Sequence, residues 1–240
     1  MTSMPKGMPL GKFGMAIERS QMLKLGFQKP SRKRYRILCL GAHSDDIEIG
    51  CGGTILELLR TGHNLEFHWI VFSSGKDRER EARRSASLFL KNAAKQEIVV
   101  LDFRNSFFPS EFVKIKEYFE ALKIASSPDL ILTHARDDLH QDHRVINQLT
   151  WNTWRNHFIL EYEIPKYDGD LGRPNFFVPF DRKIADLKIK HLMSCFLTQS
   201  NKHWFTNDTF HGLMRIRGLE ANSPGNFAEA YYARKVVLDV

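Results

Sequence analysis

Cysteine is scarce in this 240-residue chain, which holds three, Cys39, Cys51 and Cys195, and no Cys-x-x-Cys pair. An odd, widely spaced set argues against a disulfide framework and a thiolate zinc site, and makes a reducing, cytoplasmic setting the expectation. Long apolar runs are missing too. Nothing approaches the roughly 18 residues that cross a bilayer, so no transmembrane segment is expected. Lys6, Lys12, Glu18 and Arg19 break up any secretory-type segment near the start. Acids are almost absent from the first 34 positions, where Glu18 alone faces Lys6, Lys12, Arg19, Lys24, Lys29, Arg32, Lys33 and Arg34. Of the 35 basic and 28 acidic residues in the chain, 27 of each therefore lie beyond residue 34, and the net charge of +7 belongs to this extension. Such an arm can touch an acidic surface, a membrane or a partner. More often it is a solvated lead-in, here with a short helix expected around residues 15–25. With a neutral body, nucleic-acid binding is not expected.

What is present is a core-forming composition, 42% hydrophobic with 18 Phe, arranged as alternating strands and helices. "YRILCLGA" (35–42) reads as a strand buried on both faces. Helix-phased segments follow at 51–62, 77–93 and 111–125, interleaved with strands at 65–75, 97–103 and 128–135. A further helix is expected from about Asp142, a strand at "ILEYEIP" and a helix at 182–197. The end, "FAEAYYARKVVLDV", reads as a short buried turn running into a last strand. Strand–helix alternation with short connections predicts right-handed βαβ units. The expected architecture is one Rossmann-like α/β domain over 35–240, mostly parallel with helices on both faces, preceded by the basic extension 1–34.

In such sheets functional groups gather beyond the carboxyl ends of the strands, and two clusters stand there. The first is His43-Ser44-Asp45-Asp46, directly behind "RILCLGA". The second lies in "THARDDLHQDHR", with His140-Gln141-Asp142-His143. Two imidazoles and a carboxylate make a three-ligand site with one position open for water, and an adjacent carboxylate can act as a general base. Each residue alone has a plainer reading: Asp45, Asp46 or Asp142 as a helix cap, a histidine as a surface residue. Gly50-Cys51-Gly52-Gly53 is either a tight turn or a phosphate cradle, but it lacks the Gly-Lys-Ser/Thr ending of a P-loop. Two such clusters at equivalent strand ends are hard to explain by caps and turns together.

At these residues the sequence resembles the LmbE-like/PIG-L family of zinc-dependent N-deacetylases. "AHSDDIEIGCGG" is similar to the family's Ala-His-Pro-Asp-Asp motif with its following Glu and Gly-x-Gly-Gly, and "HQDH" to its His-x-Asp-His. "EREARRSASLFL" and "RGLEANSPGNFAEAYYARKVV" resemble the family's second helix and its ending. The likeness covers most of residues 35–240. It implies that His43, Asp46 and His143 bind zinc, with ferrous iron as the alternative ion. It implies Asp45 as general base, a protonated His140 that stabilises the oxyanion or gives up a proton, and Asp142 orienting a neighbouring histidine. Glu48 would brace the motif loop, and Arg78 and Asn105 would contact substrate. Ser44 stands where the family has proline, and Asn105 roughly where relatives often carry aspartate.

The resemblance implies a hydrolase that removes acetyl from a small-molecule N-acetylated amino sugar or conjugate. The alternatives are an amidase acting on another amide, or a non-catalytic sugar- or partner-binding module on the same scaffold. A homo-oligomer is compatible with the sequence.

Overall fold

The computed structural model describes residues 34–62 and 64–237, together with Gly26. The basic extension and the helix expected around 15–25 otherwise lie outside the described residues. The elements run β1 (Tyr35–Gly41), α1 (Asp46–Arg60), β2 (Leu65–Val71), α2 (Lys76–Phe89), β3 (Lys95–Val100), α3 (Phe112–Ala125), β4 (Leu130–His134) and α4 (Gln141–Thr153). They continue as β5 (Phe158–Tyr162), β6 (Phe176–Phe180), α5 (Arg182–Cys195), a short 3₁₀ turn at Leu197–Gln199, α6 (Asn207–Glu220) and β7 (Phe227–Tyr232).

All seven strands form one sheet in the order β3-β2-β1-β4-β5-β7-β6. The pairs from β3 to β5 are parallel, and β7 runs antiparallel to both β5 and β6. Strand order reverses between β1 and β4, so a crevice opens beyond their carboxyl ends. The period-two geometry of β1 divides the core. Ile37 and Cys39 pack towards α1, α2, α5 and α6, while Leu38 and Leu40 pack towards α3 and α4. The α/β architecture with helices on both faces matches the sequence expectation.

Three features differ from that expectation. Helix α1 begins at Asp46 rather than at Cys51, so the glycine run lies inside the helix. A Cβ on Gly50 would overlap the ring of Tyr162, one on Gly52 would sit 2.6 Å from Phe89, and one on Gly53 would sit 2.6 Å from Phe180. The glycines are there for close packing. The amides of Gly53 and Thr54 do bind an anion, but it belongs to the chain: both donate to the Glu229 carboxylate at 2.7 Å. Lys188, itself buried, donates to Glu229 and to the Ile49 carbonyl, each at 2.6 Å. The second difference is β6 and α6, which lack a clean periodic signal. The third is that "FAEAYY" is strand β7 itself, not a turn leading into one.

Gly50→Ala is expected to destabilise the protein by about 1–3 kcal/mol through overpacking. Gly212→Ala, at an exposed position in α6 with open space around it, is expected to stabilise by roughly 0.5–1 kcal/mol. Denaturant unfolding of both variants checks the pair.

Candidate functional site

The crevice between β1 and β4 receives the two histidine–aspartate clusters. His43 stands in the turn after β1 and Asp46 opens α1. His140 caps α4, whose first turn carries Asp142 and His143. Asp46 Oδ2 accepts the His43 backbone N–H at 2.6 Å, which closes the first turn. His43 Nδ1 lies 3.2 Å from His143 Nε2 and 3.3 Å from Asp46 Oδ2, and His143 Nε2 lies 3.5 Å from that oxygen. Bonds of about 2.0–2.1 Å at tetrahedral angles require donors about 3.3–3.4 Å apart. The three atoms fit that spacing around one ion.

The outward ring nitrogens are anchored as well. His43 Nε2 lies 3.1 Å from Asp142 Oδ2, and His143 Nδ1 lies 2.8 Å from Asp138 Oδ2. A carboxylate behind each imidazole fixes the tautomer and ring orientation that a metal ligand needs. Asp138 also takes Lys166 Nζ at 3.1 Å and the His140 amide at 2.8 Å. Asp142 reaches further, accepting the amides of Ser106 at 2.7 Å and Phe108 at 3.2 Å. One carboxylate thus ties His43 to the loop after β3.

Two overlapping trios, His43–His140–His143 and Asp46–His134–His143, also bring donor atoms within 4.8 Å of one another. The partners of His134 argue against it as a ligand. Its Nε2 accepts the Ala42 amide at 2.9 Å and lies 3.3 Å from the Tyr162 hydroxyl, which donates to Leu40 O at 2.7 Å. The ring stacks on His143 with centroids 3.9 Å apart, backing the ligand.

The electrostatics describe a pocket short of positive charge. Burial resists ionisation of Asp46, yet the imidazoles of His143, His43 and His134 hold its carboxyl well below the usual range. Burial pushes the His43 imidazole down, but Asp46 and Asp142 outweigh it and raise it to about 9. Burial and then His134 push His143 down to about 3, against the pull of Asp46 and Asp138. The pocket holds a proton on His43 where a metal would displace it.

Asp45 is buried and its carboxyl is pushed up by burial, with Arg78 opposing. Arg78 donates to Asp45 Oδ1 at 2.7 Å, so its guanidinium pairs with the acid beside the ligands. His140 accepts the Asp142 amide on Nδ1 at 3.2 Å, which leaves its proton on Nε2. Burial and then His43 lower its pKa. Asn105 is exposed on the loop after β3 and is not drawn into the cluster. Glu48 is wholly buried, and burial raises its carboxyl well above the usual range. Asp138 and His134 were not singled out from sequence, although both stand in the quoted "THARDD" segment at the end of β4.

Residues 38–154 match the family model described as "PIG-L: GlcNAc-PI de-N-acetylase". An uncharacterized deacetylase, YaiS, of Escherichia coli K12 is 28% identical over 151 residues, which is 56% of this chain and 77% of that protein. The fold is similar to N,N'-diacetylchitobiose deacetylase from Pyrococcus horikoshii, with a TM-score of 0.60, 18% identity and coverage of 82% and 83% of the two chains. It is also similar to GalB, the 4-carboxy-2-hydroxymuconate hydratase of Pseudomonas putida KT2440, with a TM-score of 0.65, 15% identity and coverage of 86% and 99%.

Asp138→Ala is expected to weaken zinc binding by about 10- to 100-fold while leaving the fold intact, as loss of a carboxylate behind a ligand does elsewhere; competition against a chelator of known affinity measures it. Because His43 keeps its proton up to about pH 9, metal binding must release it. Affinity is therefore expected to rise as pH approaches 9, by about tenfold per unit for one proton, and to level off above. Calorimetry in buffers of different ionisation heat reads the released proton.

Proposed function

We propose, on the match of residues 38–154 to the PIG-L family model, that the chain is a metal-dependent N-deacetylase acting on an N-acetylated amino sugar or sugar conjugate. One observation carries the reading: two imidazole nitrogens and one carboxylate oxygen within 3.5 Å of one another, beside a buried carboxyl, Asp45, that the ligand set does not use. His43, Asp46 and His143 would hold the ion. Zinc suits the donor set, with ferrous iron as the alternative, and when bound it supplies Lewis acidity and water acidified towards neutrality.

The chain's own residues do the rest. Arg78 occupies Asp45 Oδ1 and leaves Oδ2 to take the proton of the attacking water. Burial raises the Asp45 carboxyl, which suits a group that must accept a proton and then return it to the departing amine. His140, with its proton held on Nε2 by the bond at Nδ1, donates to the amide oxygen as charge builds there. Asn105, exposed next to Ser106 whose amide donates to Asp142, would offer its side-chain amide to a substrate hydroxyl. Three buried free cysteines support a cytoplasmic setting, and no described helix is long and apolar enough to cross a membrane. The fold by itself does not select the reaction, since a hydratase shares it.

The test is acetate release from a panel of acetamido sugars, free, nucleotide-linked and lipid-linked. Asp45→Asn is expected to lower kcat by about a hundred- to ten-thousandfold, the range of general-base catalysis, with metal content unchanged. Full activity in that variant would contradict the assignment.

A further inference from the structure

The ladder between β1 and β2 does not end with the strands. Phe72 donates to Gly41 O and Ser73 to Ala42 O, both at 2.9 Å. Beyond Ala42 the backbones part, and side chains take over. Ser44, with no exposed surface, has its Oγ 3.0 Å from Ser74 Oγ. One residue on, Asp45 Oδ1 receives Arg78 from the first turn of α2 at 2.7 Å.

The direction of the serine bond follows from its surroundings. Ser74 Oγ has a second partner, the Gly75 carbonyl at 3.3 Å, which can only accept. Ser74 therefore spends its proton on Gly75 O, and Ser44 donates to Ser74 Oγ. Gly75 is the N-cap of α2, so this chain of two hydroxyls ends at the start of the helix that carries Arg78. Both ends of the Asp45–Arg78 pair are thus tied together a second time, one residue upstream of the acid and three residues upstream of the arginine.

We infer that Ser44 and Ser74 are positioning residues whose hydrogen bond sets the Asp45 carboxylate against the metal ligands, in place of covalent rigidity in the turn. The inference rests on Asp45 acting as the base. A proline at position 44 would fix φ near −65° by its ring, and Ser44 has no backbone donor bond to lose among the described residues. The hydroxyl pair makes the same restraint dependent on the neighbouring loop.

The experiment compares Ser44→Ala, Ser74→Ala, the double variant and Ser44→Pro, all metal-loaded and full-length. Each alanine variant is expected to lower kcat about three- to tenfold, the size of one neutral hydrogen bond, with KM and metal stoichiometry unchanged. The double variant should be no worse than either single, and Ser44→Pro should recover most of the loss. Additive losses, a change confined to KM, or no loss would overturn the inference. A second readout needs no turnover: hydrogen–deuterium exchange of peptides covering 43–46 and 73–76. Ser44→Ala should speed exchange in both segments together, and Ser44→Pro should not. If the wild-type protein released no acetate but the two segments loosened together, the deacetylase reading would fail and the restraint would stand. If the segments responded independently, the restraint would fail whatever the activity.

Discussion

The meeting of His43 Nδ1, Asp46 Oδ2 and His143 Nε2 within 3.5 Å of one another is the constraint around which the structure is arranged. About a hundred residues separate the two halves of this trio, and they meet because β1 and β4 are neighbours where the strand order reverses. Gathering Asp45, Asp46, Asp138 and Asp142 in a buried crevice is unfavourable unless positive charge joins them. Imidazoles, Lys166 and Arg78 offset part of that charge. A cation at the shared point would complete the compensation, and a proton on His43, whose imidazole Asp46 and Asp142 raise to about 9, offsets part of it.

Much of the remaining fold serves to keep that point fixed. Asp142 and Asp138 orient the two imidazoles, and His134 backs His143 while its own lone pair is taken by Ala42. Helix α1 presents Asp46 because its glycines let Tyr162, Phe89 and Phe180 approach the helix axis. The buried Lys188–Glu229 pair clamps the same helix from α5 and β7. Removing one partner of such a pair would strand a buried charge, which is far more costly than the pair is stabilising.

The parallel half of the sheet was legible because buried strands such as "RILCLGA" and phased helices such as "EFVKIKEYFEALKIA" carry strong periodic signals. The start of α1 was not, since glycine ordinarily marks a turn and only the three-dimensional neighbours reveal a packing need. Strand β6 and helix α6 escaped because their apolar residues, Phe176, Phe177 and Phe210 among them, sit in short mixed segments without a clear period. At the site, the two clusters were legible as neighbours because they follow adjacent strands, and the structure brings His43, Asp46 and His143 within 3.5 Å of one another, while the role of each residue came from the family resemblance. Asp138 was hidden among the charges of "ARDDLHQDH", where nothing local marks which acid turns inward. The hydrogen bond from the Asp142 amide to His140 Nδ1, which decides that ring's proton, depends on helix capping and cannot be read from spacing.

The most direct test is anomalous diffraction at the metal edge on crystals of the protein loaded with one equivalent of zinc. One peak is expected, with His43 Nδ1, Asp46 Oδ2 and His143 Nε2 at about 2.0–2.2 Å and an exchangeable position left for water. An ion held instead through His134, an ion closed off by four protein ligands, or no peak in this crevice would contradict it.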